Sequence, residues 1–158
     1  MKAISFWQPW ATAVAVGSKR FETRSWRTSY RGILAIHAAK RNHRVELGQM
    51  LNQCMWIAAT DGCSNRADLP FGCIVAIADL VDCIPCELIG KRSHRRIADA
   101  ICAMRGSGAY QYSDYELGDF SPGRFAWQLE NVVKLTSPIP YKGKQGLFEV
   151  PDYLFHPG

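Results

Sequence analysis

Hydrophobic positions alternate with polar ones, or run together with β-branched residues, in six stretches of the chain. The clearest stretch is 72–84 (GCIVAIADLVDCI), which is rich in Val and Ile and alternates toward its end, and it predicts a strand. The apolar run 32–39 (GILAIHAA) predicts a second, buried strand. Weaker patterns of the same kind predict four further strands, at 3–6, 21–26, 125–135 and 146–150.

A wider spacing of apolar residues marks the helices. Residues 8–16 predict a helix because Pro9 suits the first helical position, alanine-rich sequence follows, and Gly17 suits the exit. Apolar residues recur at helical spacing over 45–59, and a shorter helical pattern covers 97–104. Loops are expected at 60–70 and 106–123, and long loops in compact domains are often functional.

The order of these elements indicates the fold class. Five or six strands with two or three helices, not in strict alternation, predict an α+β fold with a mainly antiparallel sheet or small barrel. The 158 residues fit one domain, 1–158, and a hydrophobic fraction of 47% suffices for a core without disulfides or metals. The chain has no apolar run of membrane-spanning length and no signal peptide, so we expect a cytoplasmic protein without membrane contact.

The six cysteines do not indicate a metal or redox site. Without an export signal they are expected to be reduced thiols. Only the segment 83–86 (CIPC) has metal-like spacing, whereas a structural zinc site needs about four ligands, usually from two such pairs. We therefore predict an incidental turn at the end of a strand, and neither a metal nor a cofactor.

Positive charge is concentrated in one segment. The net charge is +5, but residues 17–44 alone carry +7, so the remainder is slightly acidic. The segment has one acid, Glu22, and eight basic residues: Lys19, Arg20, Arg24, Arg27, Arg31, Lys40, Arg41 and Arg44. A local positive field attracts polyanions such as nucleic acids. A solvated surface is the alternative, although such surfaces usually mix the two signs.

The densest group of candidate residues lies at 17–26 (GSKRFETRSW). Alternate residues of an extended chain share a face. One face is then expected to carry Arg20, Glu22, Arg24 and Trp26. Glu22, between two arginines, is expected to be ionised and ordered by them, and Lys19 is a candidate base or nucleophile. The alternative is a surface ladder of ion pairs on an edge strand, which would contribute little.

Aromatic residues surround this segment, and further basic residues lie elsewhere. Bases can stack on tryptophan rings, although at least one such ring is expected to be core filler. The candidate rings are Trp7, Trp10 and Trp26. Further candidate contacts are Lys40 at a strand end, Arg124 after a glycine turn, and Lys142 and Lys144 in the glycine-punctuated loop 141–146, whose N–H groups could approach a phosphate. His37, within an apolar strand, is predicted to be a hydrogen-bonded core residue.

Together these motifs resemble the ASCH domain of the PUA-like superfamily. The resemblance rests on the segment 5–11 (SFWQPWA), on the Gly17-x-Lys19-x-x-Glu22-x-Arg24-x-Trp26 spacing, and on the segments 32–40, 72–83, 123–127 and 138–148. It implies a PUA-like small mixed or antiparallel β-barrel with helices packed around it, a cleft lined by the signature, and an RNA-linked role.

One branch of this family hydrolyses N4-acetylcytidine to cytidine and acetate with a lysine, a threonine and a glutamate. Lys19 matches the lysine, whereas Glu22 stands where that branch has threonine. Glu116 is the candidate for the partner glutamate. The resemblance thus leaves a nucleoside hydrolase as an alternative, in which Lys19 is the nucleophile or base and Glu22 or Glu116 moves the proton.

The function that the residues favour is binding of RNA or another single-stranded nucleic acid. The predicted contacts are Trp7, Gln8, Trp10, Lys19, Arg20, Glu22, Arg24, Trp26, Lys40, Arg124, Lys142 and Lys144. The tryptophans would stack on bases, the cations would contact phosphates, and Glu22 would order the arginines or read a base edge. A nucleoside-type ligand or ribonuclease activity at the same residues stays open, as do RNA versus DNA and the oligomeric state.

Overall fold

The computed structural model describes residues 1–40, 62, 66–92 and 117–155. The helices predicted at 45–59 and 97–104 lie outside these described residues. So do the candidate Glu116 and most of the loop expected at 106–123.

Six strands form one sheet in the described part of the chain. They are β1 (Lys2–Phe6), β2 (Phe21–Arg24), β3 (Gly32–Ala38), β4 (Cys73–Pro85), β5 (Phe125–Pro140) and β6 (Leu147–Glu149). Their order is β2-β5-β4-β3-β1-β6. β1 and β3 run parallel and the other neighbouring pairs are antiparallel. The α+β prediction, with a mixed and mainly antiparallel sheet, is confirmed.

β-Bulges bend this sheet. The β4–β5 ladder shifts register at three places, and the β3–β4 ladder shifts between Ile36 and His37. Each bulge increases the local twist and bends its strand. The curvature is large enough for Arg24 of β2 to bond Ser5 of β1, although three strands lie between them in the sheet order. The sheet is therefore a curled half-barrel.

β5 is five residues longer than predicted, because the sequence pattern suggested an end at residue 135. Pro138 and Pro140 lie within the strand, where prolines are normally read as terminators. β2 pairs only with the first four residues of β5. Beyond them β5 has β4 as its one described neighbour, and an edge position tolerates proline.

The described ranges contain two short α-helices, α1 (Trp10–Ala15) and α2 (Cys86–Arg92). α1 lies within the predicted segment, and its small residues from Ala11 to Ala15 are buried. α2 was not predicted. Its buried positions, Cys86 and Ile89, supply only two points of a helical pattern, which is too few to recognise. Short 3-10 helices cover Arg66–Asp68 and Asp152–Phe155.

The main core lies between α1 and one face of the sheet. Its largest buried members are Ile4, Phe6, Val14, Leu34, Ile36, Leu80, Trp127 and Leu129. A second cluster includes Ala3, Ala35, Ile74, Phe148 and Val150. Within the described ranges, no helix has the length and apolarity needed to span a membrane.

Candidate functional site

The segment between α1 and β2 carries Lys19 into the protein interior. Gly17 has a φ of +78°, a left-handed conformation that glycine adopts without a Cβ penalty. The main-chain N–H groups of Ser18 and Lys19 both donate to Ala13 O, at 2.9 and 3.0 Å. The chain therefore stays close under the end of the helix, and the Lys19 residue is 0% exposed.

Lys19, Glu22 and Arg24 form one ionic group, here called the Lys19 cluster. Lys19 Nζ donates to Leu117 O at 2.8 Å and lies 3.5 Å from Glu22 Oε2. The other carboxylate oxygen of Glu22 lies 3.0 Å from Arg24 Nε. This contact is a charge attraction without the alignment of a hydrogen bond. Glu22 was predicted to be ordered by two arginines; Arg24 is one of the cations that contact it, and Lys19 is another.

Arg24 connects this cluster to the far side of the curled sheet. One terminal nitrogen donates to Ser5 O at 2.7 Å, and the guanidinium carbon lies 5.4 Å from the centre of the Phe6 ring. The side chain is 25% exposed, in contrast to Lys19. Arg24 is therefore the member of the cluster that solvent reaches.

A second group of contacts holds the segment 117–119 over Lys19. The Asp119 N–H donates to Thr23 Oγ1 at 3.1 Å, and Arg124 donates to Thr23 O at 3.2 Å. Arg124 Nε also donates to Asp119 O at 3.0 Å. A Cβ on Gly118 would lie 2.9 Å from the Phe120 ring and 3.3 Å from Lys19 Nζ. The absence of a side chain at Gly118 therefore lets residues 117–119 pack directly over Lys19. Arg124, which was predicted to contact a ligand, holds this segment in place through the bonds given above.

The predicted alternation along β2 holds for Glu22 and Arg24 but ends there. Trp26 lies beyond the strand and packs edge-on against Trp127, with ring centroids 4.6 Å apart. Its carbonyl accepts a hydrogen bond from Trp127 Nε1 at 3.4 Å. Trp26 is thus a partly buried core neighbour and does not share an open face with Arg24. Arg20 precedes the strand, and its carbonyl accepts from Leu129 N at 2.8 Å.

The three candidate tryptophans differ in exposure. Trp10, like Trp26, packs against the core, which confirms that at least one of them is core filler. Trp7 is 48% exposed at the turn between β1 and α1. Gln8, also predicted as a ligand contact, is buried, and both ends of its side chain are bonded. It accepts from Thr12 N at 3.0 Å and donates to Pro70 O at 2.7 Å. Its role is therefore to hold α1 in place.

One edge of the sheet gathers the remaining candidates. Phe6 pairs with Ala38, and Cys73 pairs with both Ala38 and Pro140. The residues that follow these strand ends share this edge, here called the basic edge: Trp7, Lys40, Lys142 and Lys144. The three lysines are exposed. None of them makes an ion pair with another residue that the structure describes.

The positive charge of segment 17–44 is thereby divided. Lys19 and Arg24 face Glu22, and Arg31 pairs with Asp82 at 3.1 Å. Arg41 and Arg44 lie outside the described residues. Lys40 remains exposed and joins the two lysines of the loop 141–146, which charge counting within the segment did not include.

His37 is buried and hydrogen-bonded, as predicted for a core histidine. Its Nε2 lies 3.0 Å from Tyr141 O, and its Nδ1 lies 3.0 Å from Ser5 Oγ. Burial lowers the pKa of His37, and the bond to the Tyr141 carbonyl opposes this shift. Ser5 was not singled out from the sequence. Its proximity to His37 follows only once β1 and β3 are known to be parallel neighbours in register.

The CxxC segment contains two separate structural cysteines. Cys83 is a buried residue near the end of β4, and Cys86 is the first residue of α2. Both are buried free thiols, and burial raises the pKa of Cys86. Among the described residues, no group of three or more His, Cys, Asp or Glu side chains could hold a metal ion.

Known proteins share the sequence pattern of this chain. A family model described as ASCH domain matches residues 4–138. Human activating signal cointegrator 1 is 37% identical over 156 residues, which cover 98% of this chain and 23% of that protein. The mouse protein of the same name is 37% identical over 82 residues, covering 51% of this chain and 14% of the relative. The chain thus spans about a quarter of the length of the human relative.

Solved structures share the fold. The crystal structure of ASCH from Zymomonas mobilis has a TM-score of 0.50 and 14% identity, and the match covers 98% of this chain and 90% of that chain. A single-substitution mutant of the same protein also has a TM-score of 0.50 and 14% identity, covering 98% and 93%. At this identity the likeness shows the fold alone, and it confirms the predicted PUA-like architecture.

Proposed function

The chain belongs to the ASCH domain family, and from this membership and its basic edge we propose that it is a module that binds single-stranded nucleic acid, with RNA as the first candidate. The family has a PUA-like fold that is associated with RNA binding. The observation that carries the proposal is the juxtaposition of Trp7 with three exposed lysines at one edge of the sheet.

The lysines supply the electrostatic part of the proposed contact. An exposed lysine without a carboxylate partner keeps its full charge for a ligand, and each phosphate that it neutralises releases condensed counterions. Lys40 lies beyond the end of β3, and Lys142 and Lys144 lie in the loop between β5 and β6. Because they lie on different elements of one edge, they are placed to follow a chain of phosphates.

Trp7 and Arg24 supply the contacts to bases. Stacking of a base on an exposed aromatic ring contributes about 1–3 kcal/mol and tolerates any sequence. Arg24 bonds the carbonyl of Ser5, two residues before Trp7, and the Phe6 ring supports its guanidinium. A guanidinium held in this way is preorganised for a phosphate or for a base edge.

We assign the buried residues a supporting role. Lys19 is fully buried, hydrogen-bonded to a carbonyl and ion-paired with a carboxylate, so in this arrangement it cannot reach a substrate. Glu22 orders Arg24, and Arg124 fastens the cover over Lys19. The geometry therefore does not favour the nucleoside hydrolase. The human relative is much longer than this chain, so the proposal concerns a binding module and not the activity of the whole relative.

Salt-dependent binding tests the proposal. Fluorescence anisotropy of a labelled, unstructured RNA of about 12 nucleotides is measured between ~50 and ~200 mM salt, with DNA of the same sequence in parallel. The wild type is expected to bind with a log–log slope near −2, since three lysines at about 0.7 each sum to this value for a single strand. Tighter binding of the DNA than of the RNA would show that the preferred ligand is single-stranded DNA.

A triple variant locates the contact. Lys40→Gln/Lys142→Gln/Lys144→Gln is expected to lose most of the slope. Lys134→Gln is the matched control, because Lys134 is an exposed lysine in the middle of β5, outside the basic edge. A slope near zero in the wild type, or an unchanged slope in the triple variant, would contradict the proposal.

A further inference from the structure

Within the proposed function, on which this inference rests, we propose that Ser5 and His37 are positioning residues. They hold the main chain of the loop 141–146, and an anionic ligand on the lysines of that loop draws a proton onto His37. Neither residue is proposed to touch the ligand.

The main chain of the loop contacts the side chains of Ser5 and His37, which together are here called the seat. Tyr141 O lies 3.0 Å from His37 Nε2, and Lys144 O lies 3.3 Å from Ser5 Oγ. Gly143 lies between these two carbonyls. A Cβ on Gly143 would overlap His37 Cε1 and lie 2.7 Å from Ser5 Oγ, so only glycine fits without displacement. Lys142 and Lys144 are exposed, while the peptide groups around them face the seat.

When His37 is neutral, there are too few hydrogens for all the hydrogen bonds of the seat to form. A carbonyl only accepts, so Tyr141 O requires the hydrogen on His37 Nε2, and the neutral ring then presents Nδ1 as an acceptor. The Ser5 hydroxyl has one hydrogen, which it can donate to Nδ1 or to Lys144 O but not to both.

When the His37 ring is protonated, all the hydrogen bonds of the seat can form. Nδ1–H would donate to Ser5 Oγ, and the Ser5 hydroxyl would then be free to donate to Lys144 O. All three contacts are satisfied only in this state. Protonated His37 thus holds the loop more firmly than neutral His37.

Burial lowers the pKa of His37 and so disfavours the charged ring in the free protein. The charged side chains next to the seat, among the residues that the structure describes, are basic: Lys142 and Lys144 on the loop, and Arg24, which bonds the Ser5 carbonyl. The other described neighbours are apolar or contact the ring through the main chain: Phe148 of β6 lies 6.0 Å away edge-on, Ile74 of β4 pairs with His37, and Tyr141 presents its carbonyl. No carboxylate of the described residues bonds the ring.

A phosphate chain on the two lysines would supply the missing negative charge. By linkage, binding then raises the proton affinity of His37, and protonation raises the affinity for the ligand by the same factor. The expected sign is tighter binding at lower pH. A rise of one pH unit in the titration midpoint of His37 on binding corresponds to about tenfold in affinity.

Calorimetry measures this linkage directly. The full chain is titrated with the labelled RNA near pH 6 in two buffers of different ionisation enthalpy, which gives the number of protons taken up. The wild type is expected to take up a substantial fraction of one proton. His37→Gln keeps a donor toward Tyr141 O but does not titrate in this range, and it is expected to take up close to none. The three other histidines, replaced together by Gln in the presence of His37, form the control, which is expected to behave as the wild type.

Two results would overturn the inference. Equal proton uptake by wild type and His37→Gln is one. The other needs no ligand: nitrogen NMR of the free protein at about pH 7.5 must show the neutral ring with its hydrogen on Nε2, and a neutral ring with its hydrogen on Nδ1 contradicts the seat. Absence of RNA binding at every pH would instead contradict the proposed function, so the two failures are distinguishable.

Discussion

The Lys19 cluster and the basic edge both combine basic side chains with aromatic neighbours, but water reaches them very differently. Lys19 and Glu22 are buried and saturated by partners within the chain, whereas the lysines of the basic edge are exposed and face no described carboxylate. A buried cation of this kind contributes to the folded state and can be lost only at a large cost in stability. An exposed one contributes little to stability and keeps its charge for a partner. The following predictions test this division, from the largest expected effect to the smallest.

Replacement of Lys19 is expected to have the largest effect, on stability. Lys19→Met fills a similar volume but leaves Leu117 O without its donor and Glu22 with one cation instead of two. Breaking a buried pair in this way typically costs about 3–5 kcal/mol. Urea unfolding measures the change in the free energy of unfolding.

Lys40→Met is the matched control for this comparison. It removes an exposed lysine and is expected to change stability by less than about 0.5 kcal/mol. Similar losses in the two variants would show that burial does not separate the two regions. Lys19→Met/Glu22→Met is expected to lose less than the sum of its two single variants, because they share one interaction.

Removal of the Trp7 ring is expected to have the next largest effect, on binding. Trp7→Ala should weaken RNA binding by about 1–3 kcal/mol, or roughly 5- to 150-fold, if one base stacks on the ring. Tyr153→Ala removes an exposed aromatic ring next to Asp152, which bonds the Met1 amine at the opposite end of β1 from Trp7, and serves as the control. Equal affinities of Trp7→Ala and the wild type would remove Trp7 from the proposed interface.

A single lysine of the edge should have a smaller effect on binding. Lys142→Gln is expected to reduce the magnitude of the salt slope by about 0.7, with no measurable change in unfolding. The measurement is the anisotropy titration at several salt concentrations. Loss of affinity with an unchanged slope would mean that Lys142 contacts something other than a phosphate.

The pH dependence of stability should show the smallest effect. Burial holds the pKa of His37 below its ordinary value of 6.5, so the unfolded chain binds this proton more tightly than the folded protein. The stabilisation is complete above that value and is lost as the pH falls through the lower pKa of the folded state. Urea unfolding from about pH 7.5 to about pH 5 should show this decline in the wild type and a smaller one in His37→Gln.

Much of the fold could be predicted because each strand carries its own local pattern. The strand at 72–84 matches β4 within one residue at each end, and the helix at 8–16 contains α1. The end of β5 could not be predicted, because Pro138 and Pro140 are tolerated where β5 has no second neighbour among the described strands. That information is a property of the sheet and not of the segment.

The candidate site was harder to predict for the same reason. The spacing of residues in the sequence predicted that Lys19, Glu22 and Arg24 lie near one another. It could not show that Leu117 and Gly118, nearly 100 residues away, enclose Lys19. Likewise, the bond from His37 to Tyr141 joins residues 104 positions apart. Residue types identified the charges, whereas their exposure depends on contacts distant in sequence.

The most direct test of the division is a map of which residues respond to RNA. Amide nitrogen NMR of the labelled protein, titrated with the single-stranded RNA, reports on both regions in one sample. The largest shifts are expected at Trp7, Arg24, Lys40 and residues 142–146, with Lys19 and Glu22 nearly unchanged. Shifts confined to residues 19–22 and 117–119, with Trp7, Arg24 and the lysines of the basic edge unchanged, would contradict the account.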